Sequence, residues 1–183
     1  ERLMERQVTY ISLFAALIAA LGLAPQFALL SGVPITAQSL GVMLSCTVLG
    51  AKRGALAALV FLLLVAMGFP LLAGGRGGLG VFQSPSVGFL IGFPVAAFVA
   101  GWVTSQRRFP LFLAAIMGAI LGGVLVLYAF GITGMAIILG KSWTEAAPLA
   151  LPYLVGDAIK ALLAGIVTHS IARLRPMAIM SRA

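Results

Sequence analysis

The chain has 183 residues, 62% of them hydrophobic and only 9% charged, with a net charge of +8 and a mean hydropathy of +1.15. A soluble domain carries roughly a quarter charged residues, so this sequence cannot cover a water-facing surface and most of its exterior must meet lipid. A charge of +8 on a soluble protein would suggest nucleic-acid binding, but the positions of these charges argue against it.

In chain order, six apolar segments can be drawn, at residues 8–30, 36–50, 54–72, 87–104, 111–130 and 149–171. Most reach the ~20 residues needed to cross a ~30 Å hydrocarbon core. The second is short, so it tilts little, begins inside the bundle or is partly irregular. Arg2, Arg6, Lys52, Arg53, Arg107, Arg108, Arg173, Arg175 and Arg182 recur at intervals of one helical hairpin. Under the positive-inside rule they mark cytoplasmic ends, with both termini inside. Only Arg76 and Lys141 are left for outer loops, and Lys160 falls within a span. The expectation is one all-α domain over residues 1–183, with six transmembrane helices, multi-pass in a membrane. A cleaved signal peptide does not fit, because more membrane-grade sequence comes after the first apolar run.

Irregular sequence gathers on the outer side. Residues 31–34 link the first two spans. Residues 73–86 (AGGRGGLGVFQSPS) link the third and fourth and are too glycine-rich for a helix. Residues 131–148 link the last two, with Trp143 placed as an interfacial anchor or lid. The inner connections are tight basic turns, so a bound molecule is expected to enter from outside.

Of the four acids, Glu1, Glu5, Glu145 and Asp157, only the last falls within an apolar segment, with Lys160 three residues on. Positions i and i+3 share a helix face. Each charge costs at least ~2.5–3.5 kcal/mol at the bilayer centre, so neither would persist facing lipid. Either the two neutralise each other and merely orient the helix, or they form a polar clamp in a pocket. In a clamp, the carboxylate would accept N–H bonds while the ammonium donates to an oxygen. Arg76 is either a solvated loop charge or a clamp on a substrate carboxylate. Tyr128, Phe82 and Phe89 could supply apolar walls, though aromatic residues at such depths also serve as interface anchors.

Other matches lead nowhere. Gly75, Gly77 and Gly80 spell GxGxxG, but after a membrane helix and with no acid about twenty residues on. Gly140-Lys141-Ser142 resembles the end of a phosphate-binding loop, yet Met135 stands where that motif needs glycine. No ATPase motif is present, so any ATP-driven motor is a separate protein. His169 has no GxSxG elbow beside it, and His, Cys and carboxylates are too few to close a metal shell. An ion-coupled carrier would be expected to show more than one intramembrane acid. Cys46 reads as a small buried hydrophobe. Ala15/Ala19 and Ala16/Ala20 are small-xxx-small spacings that serve internal packing or the docking of another membrane subunit. Gly88/Gly92 and Gly118/Gly122 read as internal.

The run at 34–101, opening PITAQSLGVMLS and containing AGGRGGLGVFQSPS, resembles the BioY family. So does GDAIKALLAG in the last span. That family is the biotin-specific substrate-binding (S) component of energy-coupling factor (ECF) transporters, and the likeness covers most of residues 34–165. It implies a six-helix S-component fold that captures biotin as ligand, with no cofactor and no enzymatic activity. It implies that Asp157 and Lys160 contact the ureido ring and that Arg76 takes the valerate carboxylate. It also implies a membrane coupling subunit and two ABC ATPases as partners, with Ala15, Ala16, Ala19 and Ala20 as docking candidates. Where the family often reads PITLQTL, Ala37 and Ser39 remove bulk near the outer loop. The residues themselves leave open an S component for another vitamin, a homo-oligomer without ATPases, or a non-transporting scaffold with a structural Asp157–Lys160 pair.

Overall fold

The computed structural model describes residues 2–27 and 31–182, with Arg2 and Leu3 described by backbone alone. Six main helices run as α1 (Arg2–Leu21), α2 (Gln38–Leu49), α3 (Ala51–Ala66), α4 (Val87–Ser105), α5 (Leu111–Leu139) and α6 (Leu151–Leu174). A one-turn helix, Trp143–Ala146, leads through a 3-10 turn into α6, so the helical path there begins at Trp143.

Four helical stretches are long and apolar enough to cross a membrane: Met4–Leu21, Val87–Ser105, Leu111–Leu139 and Trp143–Leu174. The other two main helices are shorter, at 12 residues for α2 and 16 for α3. The shortness of α2 reflects its position. It packs against α1, α3, α4 and α6, and every residue from Gly41 to Leu49 is buried. It therefore meets protein rather than lipid, and it starts inside the bundle after an irregular segment at 33–37.

Three boundaries depart from the hydropathy reading. The first helix ends at Leu21, not at 30. Pro25 pushes Ala24 out of the helical region, and the chain returns to pair Phe27 with Ile35 (N···O 3.2 and 2.9 Å). Residues 28–30 lie outside the described residues. The third helix starts at Ala51 and stops at Ala66, because Gly68 (φ +105°) and Pro70 cannot continue it. The fifth does not stop at 130 but runs to Leu139, where Gly140 closes it in the left-handed conformation. Most of the expected outer link at 131–148 is therefore helix. Its glycines act as contacts: a Cβ on Gly134 would stand 2.6 Å from Gly88 Cα, and one on Gly131 would overlap the Phe89 ring. The Gly92, Gly118 and Gly122 positions likewise face close neighbours between α4 and α5.

One end of the bundle is tied by the C-terminal tail. Met180 and Ser181 N–H groups donate to Val48 O (2.8 and 2.9 Å) at the α2–α3 turn. Arg182 donates to Thr104 O (3.1 Å), Gln106 O (3.1 Å) and Phe109 O (2.9 Å), capping the end of α4. Arg107 donates to Arg182 O, Arg53 to Met180 O and Arg6 to Met177 O. The basic residues that recur along the sequence thus gather at this end, where their donors satisfy carbonyls left over by the helix termini.

Candidate functional site

In the other half of the bundle, α6 carries Asp157 and Lys160 on one face, turned toward α2. Lys160 Nζ stands 2.8 Å from Asp157 Oδ1 and donates to Ser39 Oγ at 2.9 Å. The Ser39 hydroxyl in turn donates to Asp157 Oδ1 at 3.2 Å, closing a three-membered ring. Tyr128 donates its hydroxyl to the second carboxylate oxygen, Oδ2, at 2.7 Å. Asp157 is thus held by donors from α2, α5 and α6, with only 7% of its side chain exposed. Such enclosure offsets the cost of a charge in an apolar bundle, provided the lone pairs are satisfied. Lys160 uses two of its three N–H donors within the protein.

The placement of Tyr128 depends on an irregularity. Leu121–Val126 forms a π-helical stretch within α5, where Gly122 lets the helix sit against Ala96 and Ala100 and Gly123 abuts Met43. A π turn rotates the helix on its C-terminal side relative to the helix on its N-terminal side. Leu127 and Tyr128 come directly after it, and they stand at the cavity wall and at Asp157.

The pair opens on a cavity of about 580 Å³, counting its open mouth. Phe89, Leu90, Phe93, Leu72 and Leu127 make apolar wall, while Thr36, Gln38, Ser39, Ser86, Tyr153, Asp157, Lys160 and Arg76 supply polar groups. This composition, mostly apolar with a few convergent polar groups, is that of a small-molecule site. Gln38 ties the wall together by donating to Leu71 O (2.9 Å) and Ile18 O (3.3 Å). Tyr153 donates to Val33 O (2.7 Å) and shares a hydrogen bond with Ser31 (2.8 Å), which anchors the loop after α1. Phe89 packs between the Tyr128 and Tyr153 rings at centroid distances of 6.3 and 6.0 Å.

Arg76 reaches the cavity from a tight turn. Leu72 N–H donates to Arg76 O (3.0 Å), and Gly74 and Gly75 both take positive φ between them, a conformation that favours glycine. Its own Nε donates to Ala73 O (3.2 Å), which leaves the terminal guanidinium nitrogens available. Beyond this turn the glycine-rich loop contains a 3-10 helix, Leu79–Gln83.

Of the residues singled out from sequence, Asp157, Lys160, Arg76 and Phe89 line one cavity, and Tyr128 touches it through Asp157. Phe82 does not line it. Phe82 packs on the core and borders a separate groove between α4 and α5, with Ile91 and Phe130. The alanine stripes on α1 divide: Ala15 is buried and Ala19 packs beside it in the core, whereas Ala16 and Ala20 are exposed. Gln38, Tyr153 and Ser86 also line the cavity, as does Ser39, which the sequence marks only as a loss of bulk. The available signal was a glutamine and a serine opening an otherwise apolar span just after Pro34.

Comparison with known proteins gives a consistent answer. A family model described as the BioY family matches residues 1–177. The biotin transporter BioY of Rhodobacter capsulatus is 51% identical, over 98% of this chain and all of that protein. The biotin transporter BioY of Rhizobium etli is 46% identical, over 91% of this chain and 92% of the relative. Among solved structures, the S-component for biotin from an ECF-type ABC transporter superposes with a TM-score of 0.86. It is 26% identical, with 94% of each chain covered.

Proposed function

Because the chain belongs to the BioY family, we propose that it captures biotin and serves its uptake as the substrate-binding subunit of an ECF transporter. The observation that carries the reading is the Asp157–Lys160–Ser39 ring set in the wall of a cavity that also holds Arg76. Biotin offers a ureido group with two N–H donors and one carbonyl acceptor at one end, and a carboxylate at the other. The Asp157 carboxylate suits the ureido N–H groups, and the third N–H of Lys160 suits the ureido oxygen. Arg76 suits the carboxylate, while Phe89, Phe93 and Leu90 suit the thioether ring and the methylene chain.

Where the positive-inside rule applies, the end gathering Arg6, Arg53, Arg107 and Arg182 lies in the cytoplasm and the cavity opens outward. The membrane is then the bacterial cytoplasmic membrane. A coupling subunit with two ATPases supplies the energy, and the exposed Ala16 and Ala20 on α1 offer a close-approach surface for that subunit. A thermal-shift panel of vitamins on the purified protein tests the ligand, since a molecule that binds only the folded state raises stability with its concentration. Biotin should stabilise at concentrations where thiamine and riboflavin do not. Stabilisation by another vitamin and not by biotin overturns the assignment, and a flat response to every vitamin points to a structural ion pair.

A further inference from the structure

The tail-bound end carries a second groove, of about 1080 Å³ including its open side. Arg6, Arg53 and Arg182 reach it from α1, α3 and the tail, and Leu111, Met177 and Met180 give it apolar wall. Among the described residues the sole salt bridge is Asp157–Lys160, in the other half of the molecule. Glu5, the acid nearest in sequence, is exposed and lies within 4 Å of none of these cations. Among the described residues the three guanidiniums donate to backbone carbonyls alone: Arg6 to Met177, Arg53 to Met180 and Arg182 to the α4–α5 loop. Each guanidinium has five N–H donors, so donors remain on all three. Burial, and the neighbouring Arg107, also hold Arg182 below the usual arginine range, as befits a site where cations crowd.

The groove joins this charge to grease. Met177 on its rim is 77% exposed, and Val8, one residue past Gln7 of the groove, is 58% exposed on α1. A free anion needs only the guanidiniums. A molecule with a phosphate and acyl chains uses both surfaces.

We propose that this groove binds an anionic phospholipid, its phosphate held by Arg6, Arg53 and Arg182 and its acyl chains laid along the lipid-facing surface beside α1. The same arginines hold the tail through Met177 and Met180. The proposal is independent of what the cavity at the other end binds.

The test is lipid retention by the purified full chain, measured by native mass spectrometry in detergent carrying equal phosphatidylglycerol and phosphatidylcholine. Each arginine near the headgroup contributes a factor of roughly five in favour of the anionic lipid, so retention should favour phosphatidylglycerol on the order of 100-fold. The Arg6→Gln/Arg53→Gln variant should drop that preference to roughly fivefold, while Lys141→Gln leaves it unchanged. If the glutamine variant does not fold, Arg6→Lys/Arg53→Lys keeps the charge, and added sodium chloride should erode the preference of the unmodified protein. Equal retention of both lipids, or a preference that survives the glutamine variant, overturns the proposal. So does loss of the preference in a few millimolar inorganic phosphate, which would mark a site for a soluble anion.

Discussion

The two ends of this bundle solve opposite problems with the same kinds of residue. At the tail-bound end, arginines donate to carbonyls of loops and helix termini, and no carboxylate faces them among the described residues. In the cavity half, a lysine and an aspartate pair directly and are held by a serine and a tyrosine from two other helices. The first arrangement closes helix ends against one another, and its charges are only partly buried. The second keeps charge away from lipid at the expense of fixing four side chains. Side chains fixed in that way are a pre-formed surface for one polar ligand. The irregular loops lie over the cavity, and the tight turns lie at the strapped end.

If that division is right, the largest effect comes from breaking the pair. Asp157→Asn and Lys160→Ala should each weaken biotin binding by at least about 30-fold, since truncating one partner of a buried hydrogen-bonded charge pair costs ~2 kcal/mol or more. Equilibrium binding of labelled biotin, with circular dichroism to verify folding, decides it. Folded variants of unchanged affinity would confine the pair to a structural role. Arg76→Ala should cost less, about tenfold, because the residue is only partly buried and its loss does not strand a buried charge. Its signature is selectivity: the intact protein should prefer biotin to biotin amide, and the variant should bind both alike. A variant that still discriminates would remove Arg76 from the carboxylate.

The strapped end should respond in the other coordinate. Arg182→Ala removes donors to three carbonyls around the α4–α5 loop. It should lower stability by about 1–2 kcal/mol, water replacing part of what is lost at a half-buried site. Biotin affinity should stay as it was. Thermal unfolding and a binding isotherm on the same preparation measure both. A fall in affinity equal to that of Arg76→Ala would mean that the two ends are coupled rather than independent.

The cavity end was the more legible of the two for its charges and the less legible for everything else. Asp157 and Lys160 stood out because a charge in an apolar run is expensive wherever it points, so the sequence alone demanded a partner. Ser39, Gln38 and Tyr153 cost little and so left no mark on the hydropathy. Their roles depend on which helices and loops face them, α2 against α1 and α6 for the first two and the 31–33 loop for Tyr153, which only the packing reveals. Phe82 borders another groove, and an aromatic in a glycine-rich loop carries no periodicity to say which way it faces. The fifth helix was cut short for a related reason. The apolar run ends at 130, but Gly131 and Gly134 continue the helix and are the places where α4 and α5 touch. The π turn that delivers Tyr128 has only the adjacent Gly122 and Gly123 as a trace.

The smallest effect bears on the cavity most directly. Ser86 stands at the N-cap of α4, where a serine hydroxyl ordinarily accepts a bond from the helix's first N–H groups. It makes no such bond, is buried, lines the cavity, and has no hydrogen-bond partner for its Oγ among the described residues. A buried hydroxyl without a partner costs about 1–3 kcal/mol, so a stabilising change has been passed over at a cavity wall. A hydrogen bond formed only when ligand arrives accounts for this, and it separates two quantities that usually move together. Ser86→Ala should leave the ligand-free protein as stable as before or up to ~1 kcal/mol more so, while weakening biotin binding roughly fivefold, about 1 kcal/mol. Paired thermal-shift curves with and without biotin give both numbers. If the variant loses stability without ligand, the hydroxyl is already satisfied in the free protein and Ser86 belongs to the fold rather than to the ligand.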